Sequence, residues 1–177
     1  MFHKLCENGE PFVIAEVGQN HQGDLDIARE YIRIFAFEGA DAIKFQTRNN
    51  KYLFSEDAYN AEYNSENAFA KSYGAHREAL ELKPEWLPIL KEDCIKNDVL
   101  FMSTPFDEPS LFLLKELDVD IIKIASFDLG NLPFINHIAN SKKPVVISVG
   151  GGKIDQIKSS VELLLTHTQE VAILHCV

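Results

Sequence analysis

Short apolar runs alternate with amphipathic stretches along almost the whole chain, and that alternation leaves few folds open. The apolar runs lie at 12–17, 42–46, 99–103, 120–125, 144–149 and 171–176. Between them a 3.6-residue periodicity predicts helices over 24–38, 84–96, 108–117, 132–140 and 154–166. Asp24 is a natural N-cap for the first helix, with Ile27, Tyr31, Ile34 and Phe35 as its apolar face, and Pro84 takes the first turn of the second. Strands that alternate with helices build right-handed βαβ units and a parallel sheet. Residues 47–82 break the rhythm. This polar stretch carries Tyr52, Phe54, Tyr59, Tyr63, Phe69 and Tyr73 and reads as a functional loop with short helices. Local packing is the expected use of its tyrosines, with a pocket lining as the alternative.

The ends of the strands separate an open sheet from a barrel. Glu16, Gln46, Ser103, Thr104, Ser126 and Ser148 stand at matching strand ends, and Lys44 and Lys123 sit inside apolar strands. An ammonium buried among such residues needs a partner to replace its lost hydration. Two of them, ringed by hydroxyls, point to a shared anionic ligand. In a barrel every strand delivers its C-terminal end to one mouth, whereas an open sheet concentrates function at a switch point. The segment Gly18-Gln19-Asn20-His21-Gln22-Gly23 also lacks the spacing of a dinucleotide-binding glycine loop. Side-chain alternation then places Ile14 and Glu16, Ala42, Lys44 and Gln46, and Val146 and Ser148 inside. The expectation is a TIM-type (β/α) barrel, incomplete, with six strands and five helices within residues 1–177. A full barrel takes two more units and about 250 residues. Edges left at the first and sixth strands favour a homo-oligomer or association with a complementing chain.

The net charge of −10 argues against general nucleic-acid or anionic-membrane binding, and no run approaches the roughly 18 apolar residues of a membrane span. Cys6, Cys94 and Cys176 follow no metal or redox spacing and fit a reducing compartment, with Cys176 expected as a buried strand residue. The first nine residues lack the apolar core of a signal peptide, so a cytoplasmic protein is expected.

Five blocks taken together carry a resemblance: Ile14-Ala15-Glu16-Val17-Gly18-Gln19-Asn20-His21-Gln22-Gly23, Lys44-Phe45-Gln46-Thr47, Ser103-Thr104-Pro105-Phe106-Asp107, Lys123-Ile124-Ala125-Ser126 and Leu174-His175-Cys176. In this order and spacing they closely resemble the sialic acid synthase family, which includes N-acetylneuraminate synthases and relatives making legionaminic, pseudaminic and spore-coat sugars. The resemblance implies an enzyme that condenses phosphoenolpyruvate with an open-chain N-acetylhexosamine, releasing phosphate and forming a nine-carbon 2-keto acid. It implies a divalent metal, usually manganese, whose two histidine ligands fall beyond residue 177. It also implies further barrel units and a C-terminal antifreeze-like domain outside these residues.

Lys44, Thr104, Lys123, Ser126 and Ser148 match phosphoenolpyruvate-binding positions, Gln46 matches a sugar-contacting position, and Asn20 and His21 belong to the same first loop. Glu16 matches the catalytic carboxylate, placed to handle the water that attacks C2 or a sugar hydroxyl; a structural ion pair with a lysine is its alternative. Two departures stand out. Ser148-Val149-Gly150-Gly151 replaces Ser-Thr-Gly-Met, and Ser126-Phe127-Asp128 puts a ring where the family has glycine. Two other functions stay open: a Schiff-base aldolase-type phosphosugar barrel, and a non-catalytic remnant that keeps only the anion pocket.

Overall fold

The computed structural model describes Gly9 and residues 11–176, so Cys6 lies outside the described residues. Its strands are β1 (Ile14–Gly18), β2 (Ala42–Thr47), β3 (Leu100–Pro105), β4 (Ile121–Ile124), β5 (Val145–Ser148) and β6 (Val171–Leu174). They form one sheet in the order β1-β2-β3-β4-β5-β6, every neighbouring pair parallel. An open doubly wound sheet would reverse direction at a switch point. This one never does, and it curls as an incomplete TIM-type barrel with β1 and β6 as its edges.

The crossovers are α1 (Leu25–Phe37), then α2 (Asn50–Leu53), α3 (Glu56–Asn60), α4 (Tyr73–Ala79) and α5 (Leu87–Lys96), then α6 (Glu108–Glu116), α7 (Leu132–Ala139) and α8 (Ile154–Leu165). Each of α1, α6 and α7 starts on the residue type its sequence offers. Asp24 accepts from the Ile27 amide, Asp107 from Ser110 and Asn131 from Phe134. A 3-10 turn at Pro84–Trp86 leads into α5. No helix among the described residues is long and apolar enough to cross a membrane.

The two faces of the sheet do different work. Ile43, Phe45, Phe101, Ile122, Ile124, Val145 and Ile147 point outward into a core with Ile32, Leu90, Cys94, Leu114, Ile135, Ile138 and Leu164. Phe45 stacks on Phe101 with centroids 5.6 Å apart. Each such side chain contributes roughly 1.5–3 kcal/mol by leaving water. Inside, Met102, Ile121 and Val146, backed by Ile14, Leu100 and Ala172, form a smaller apolar floor. The polar side chains rise above that floor.

Three sequence expectations need correction. Ile27 and Ile34 are exposed, and α1 packs instead through Leu25, Ala28, Tyr31, Ile32 and Phe35. One helical residue is about 100° of rotation, so a one-residue phase error moves a side chain off the buried stripe. Ser103 faces the helices, not the barrel interior, and its hydroxyl lies 2.8 Å from that of Thr47. Cys176 falls past the end of β6 and is half-buried. The edge position of β6 explains its neighbours too, because Ile173 and Leu174 are exposed.

Within residues 47–82 the aromatic side chains pack mainly on one another. Tyr63 stacks on His76 at 4.4 Å, Tyr73 meets Phe54 and Tyr63 edge-on, and His76 Nδ1 accepts from the Phe69 amide at 3.1 Å. This loop is clamped to the one after β1 at Gly23, whose φ is +72°. A Cβ there would lie 2.1 Å from the Ala79 carbonyl oxygen, so only glycine fits.

Candidate active site

The parallel register sets Glu16 of β1 beside Lys44 of β2, and Gln46 of β2 beside Thr104 of β3. Lys123 of β4 pairs with Val146, and Ser148 lies two residues further along β5 on the same face. Lys123 is 5% exposed; its Nζ donates to Ser148 Oγ and to the Ile124 carbonyl, each at 2.6 Å. Lys44 Nζ meets the Glu16 carboxylate, and the lysine side chain is 13% exposed.

The two ammonium groups are held at a cost. Burial, reinforced by the Lys123 charge, lowers Lys44 from its ordinary value to about 8. Burial lowers Lys123 to about 8 as well. Two buried cations face one barrel interior, the Lys123 charge acts on Lys44, and Glu16 counters only Lys44, an arrangement that suits an anion of two or more charges. The geometry therefore fits a multivalent anion above the apolar floor.

An opposed pair of pH trends follows. Above pH 8 the lysines begin to lose their protons, so affinity for sulfate, whose charge is fixed across this range, is expected to fall as pH rises from 7 to 9. Stability moves the other way: between 8 and 10.5 these two lysines bind fewer protons folded than unfolded, and their contribution rises with pH. Cys94, pushed up to about 12 by burial, opposes this above about pH 9. Sulfate titrations and thermal melts of wild type against a Lys44→Met/Lys123→Met variant at pH 7, 8 and 9 isolate the lysines. Parallel trends in the two measurements contradict the assignment.

The remaining candidates divide. Thr104 is buried on the inner face, and Ser126 is exposed at the start of the 3-10 turn Ser126–Asp128 after β4. Phe127, the ring that replaces glycine in the resemblance, is 78% exposed and points to solvent, away from the backbone of the site. Asp128 is buried beneath it, accepting from Asn131 Nδ2 at 3.1 Å, and burial raises its carboxyl. Val149 packs against the helix-side core.

In the first loop Asn20 is exposed. His21 is buried, its Nδ1 accepting from the Gly23 amide and its ring 6.3 Å from that of Phe45 on the helix side. Burial lowers His21, so the ring is neutral near pH 7. That arrangement shapes the loop and does not bring His21 to the lysines. Asp107, the last residue of the Ser103–Asp107 block, is structural: besides capping α6 it accepts from the Asn49 amide at 2.7 Å.

Sequence reasoning passed over three groups. Cys176 Sγ accepts from the Gly150 amide at 3.2 Å. Its thiol lies below the ordinary value: desolvation acts to raise it, but Ser148, the Gly150 and Val149 amides and the Lys123 charge outweigh that. Arg48 and Glu81, both side chains 9% exposed, meet at 3.5 Å beside the mouth, and burial pushes the Glu81 carboxyl up to about 8 against the pull of Arg77 and Asn50. Arg48, the residue right after the Lys44–Thr47 block, carried the one available signal, a charge at a strand's C-terminal end. These two line a cleft of about 320 Å³ with Thr47, Leu82 and Pro109, which neither Lys44 nor Lys123 lines. The lysine site itself is an open trough, because the sheet is not closed between β6 and β1. Among the described residues no group of three or more His, Cys, Asp or Glu gathers as metal ligands.

The chain is similar to known proteins in sequence and fold. N-acetylneuraminate-9-phosphate synthase of Homo sapiens is 33% identical over 165 residues, which cover 93% of this chain and 46% of that protein. N,N'-diacetyllegionaminic acid synthase of Legionella pneumophila is 35% identical over 171 residues, covering 93% of this chain and 48% of that protein. The crystal structure of N-acetylneuraminic acid synthetase from Leptospira borgpetersenii, in complex with citrate, superposes with a TM-score of 0.80 at 34% identity, over 94% of this chain and 54% of that one. The chain thus spans about half the length of the relatives it matches. The profile of the NeuB family matches residues 31–177, and with these relatives it shows that the chain belongs to the NeuB family.

Proposed function

We propose that this chain carries the phosphoenolpyruvate-binding and acid–base half of a sugar-acid synthase. The observation that supports it best is the pair of buried, mutually repelling ammonium groups of Lys44 and Lys123, flanked by Ser148 and Glu16. Phosphoenolpyruvate bears a phosphate and a carboxylate, which suits two cations with hydroxyls from Ser148, Thr104 and Ser126 between them. Its engagement of Lys44 displaces Glu16 as that lysine's counter-ion and leaves the carboxylate beside the reacting carbons.

In the proposed reaction C3 of phosphoenolpyruvate bonds to the aldehyde carbon of an open-chain N-acetylhexosamine such as N-acetylmannosamine. Water adds at C2 and phosphate leaves, giving a nine-carbon 2-keto acid. Glu16 moves a proton at that water or at the sugar oxygen, and Gln46 contacts the sugar. The divalent metal, manganese in the resemblance, is assigned no residue and no step. We also propose that further polypeptide, continuous with this chain or separate, covers the open side between β1 and β6. Exposed Val13, Ile173 and Leu174 lie along those edges.

The test is release of one phosphate per keto acid formed, dependent on both phosphoenolpyruvate and an N-acetylhexosamine. One observation favours a second reading: a lysine lowered to about 8 supplies some free amine near neutral pH, as a Schiff-base aldolase requires. Borohydride trapping of a covalent adduct at Lys44 or Lys123 would establish that reading and remove the first.

A further inference from the structure

Arg48 has no place in the anion site, yet its side chain is more buried than those of Arg29, Arg33 and Arg77. Its guanidinium lies 4.2 Å from the centre of the Phe106 ring and 3.5 Å from Glu81 Oε1. Glu81 is itself fixed, accepting from Gln19 Nε2 at 2.8 Å with Arg77 at 3.9 Å. The loops after β1, β2 and β3 and the segment after α4 therefore converge on one buried cation. From that anchorage Arg48 Nη2 donates to Gln46 Oε1.

The consequence lies at the other end of the Gln46 amide. An amide has one accepting and one donating end, and either orientation fills the same volume. With Oε1 committed to a guanidinium, which can only donate, the flipped amide would set its NH2 against Arg48. The donating end must then face the barrel. The surroundings of Gly18 agree: a Cβ placed there would lie 3.1 Å from Glu16 Oε1 and 3.6 Å from Gln46 Nε2, so both groups converge on one spot.

We propose that Arg48 is a positioning residue that locks Gln46 with its NH2 toward Glu16, so that the site offers the acceptor sugar a hydrogen-bond donor and selects an oxygen with a free lone pair. This rests on the sugar-binding role of Gln46 given above. It adds the residue that decides which end of Gln46 the sugar meets. It also explains why a buried arginine, with its Nε lacking a hydrogen-bond partner, is kept at the rim.

The experiment follows the Gln46 side-chain amide by nitrogen-15 NMR in the full chain saturated with phosphoenolpyruvate, titrated with N-acetylmannosamine. Gln46→Glu assigns the resonances. The Gln46 NH2 signals are expected to shift saturably in wild type. Arg48→Met is expected to weaken sugar binding about tenfold while phosphoenolpyruvate affinity stays within twofold. Arg48→Lys, which keeps a donor, is expected to recover most of the loss, and Arg48→Met/Gln46→Glu to bind no more weakly than Gln46→Glu alone. Where Arg48→Met does not fold, the wild-type response still tests the donor end of Gln46, and Arg48→Lys against Arg48→Gln tests the role of the cation. Gln46 signals that stay still while other mouth residues respond, an Arg48→Met variant of wild-type sugar affinity, or effects that add would each overturn the inference. A chain that binds phosphoenolpyruvate but shows no response to the sugar overturns it while leaving the anion site standing. A folded chain that does not bind phosphoenolpyruvate removes the functional reading and this inference with it.

Discussion

Lys123→Met is expected to weaken phosphoenolpyruvate binding about a hundredfold and at the same time to raise the melting temperature of the unliganded chain. The affinity loss follows from the charge-assisted contacts removed. A hydrogen bond to a charged group is worth about 1.5–3 kcal/mol, and truncating one member of a buried pair costs at least that. The gain in stability follows from the cost of the empty site. Holding the ammonium where its pKa drops from 10.5 to about 8 opposes folding at pH 7 by up to about 3 kcal/mol. Part of that is offset by the bonds to Ser148 and Ile124 that methionine cannot make. A net gain of about 1 kcal/mol corresponds to roughly 2–4 °C for a chain of this size. Calorimetric titration and a thermal melt on the same preparation measure both. A variant that binds normally would show that Lys123 is no ligand, and one that melts earlier would show that its bonds to Ser148 and Ile124 outweigh the cost of burying it.

Glu16→Gln separates chemistry from binding. The amide keeps the shape of the carboxylate but removes the charge that meets Lys44 in the unliganded site. Phosphoenolpyruvate then no longer competes with Glu16 for that lysine, and its affinity is expected to hold or to tighten a few-fold. Condensation, measured as sugar-dependent phosphate release, is expected to fall by about 10²–10⁴, the usual contribution of a general acid or base. The alternative, an ion pair kept for stability, gives a different pattern: lower melting temperature, weaker anion binding and activity reduced in proportion. Because Glu16 is exposed on the edge strand while Lys44 is largely buried, a purely stabilising role has little to act through.

The residues that made the fold legible are those whose physics is local. Strand periodicity separated Lys44 and Gln46 from Ile43 and Phe45, and the sheet keeps that division. Asp24 caps α1 as its position suggests. Ser103 misled because a hydroxyl at a strand end reads the same on either face; the register sets it beside the outward-facing Phe45, and its hydroxyl meets that of Thr47 on the helix side. Ile27 and Ile34 failed for a related reason, since the phase of a helix against its sheet is set by tertiary packing.

Arg48 and Glu81 could not be joined from sequence, because they lie 33 positions apart in a stretch with no periodicity and meet only where three loops fold together. Phe127 looked obstructive as a substitution for glycine, yet its backbone turns the ring to water. The two inward lysines stood out in the sequence because buried lysines are rare and costly. The contacts among Gln46, Arg48, Phe106 and Glu81 did not, because each of these residues is ordinary alone.

The most direct test of the central claim is calorimetric titration of the 177-residue chain with phosphoenolpyruvate at pH 7. The expected result is saturable binding at one site, lost in Lys44→Ala and in Lys123→Ala. A folded chain that takes up no phosphoenolpyruvate, or one whose binding survives both substitutions, would contradict the assignment of these two lysines as the anion site.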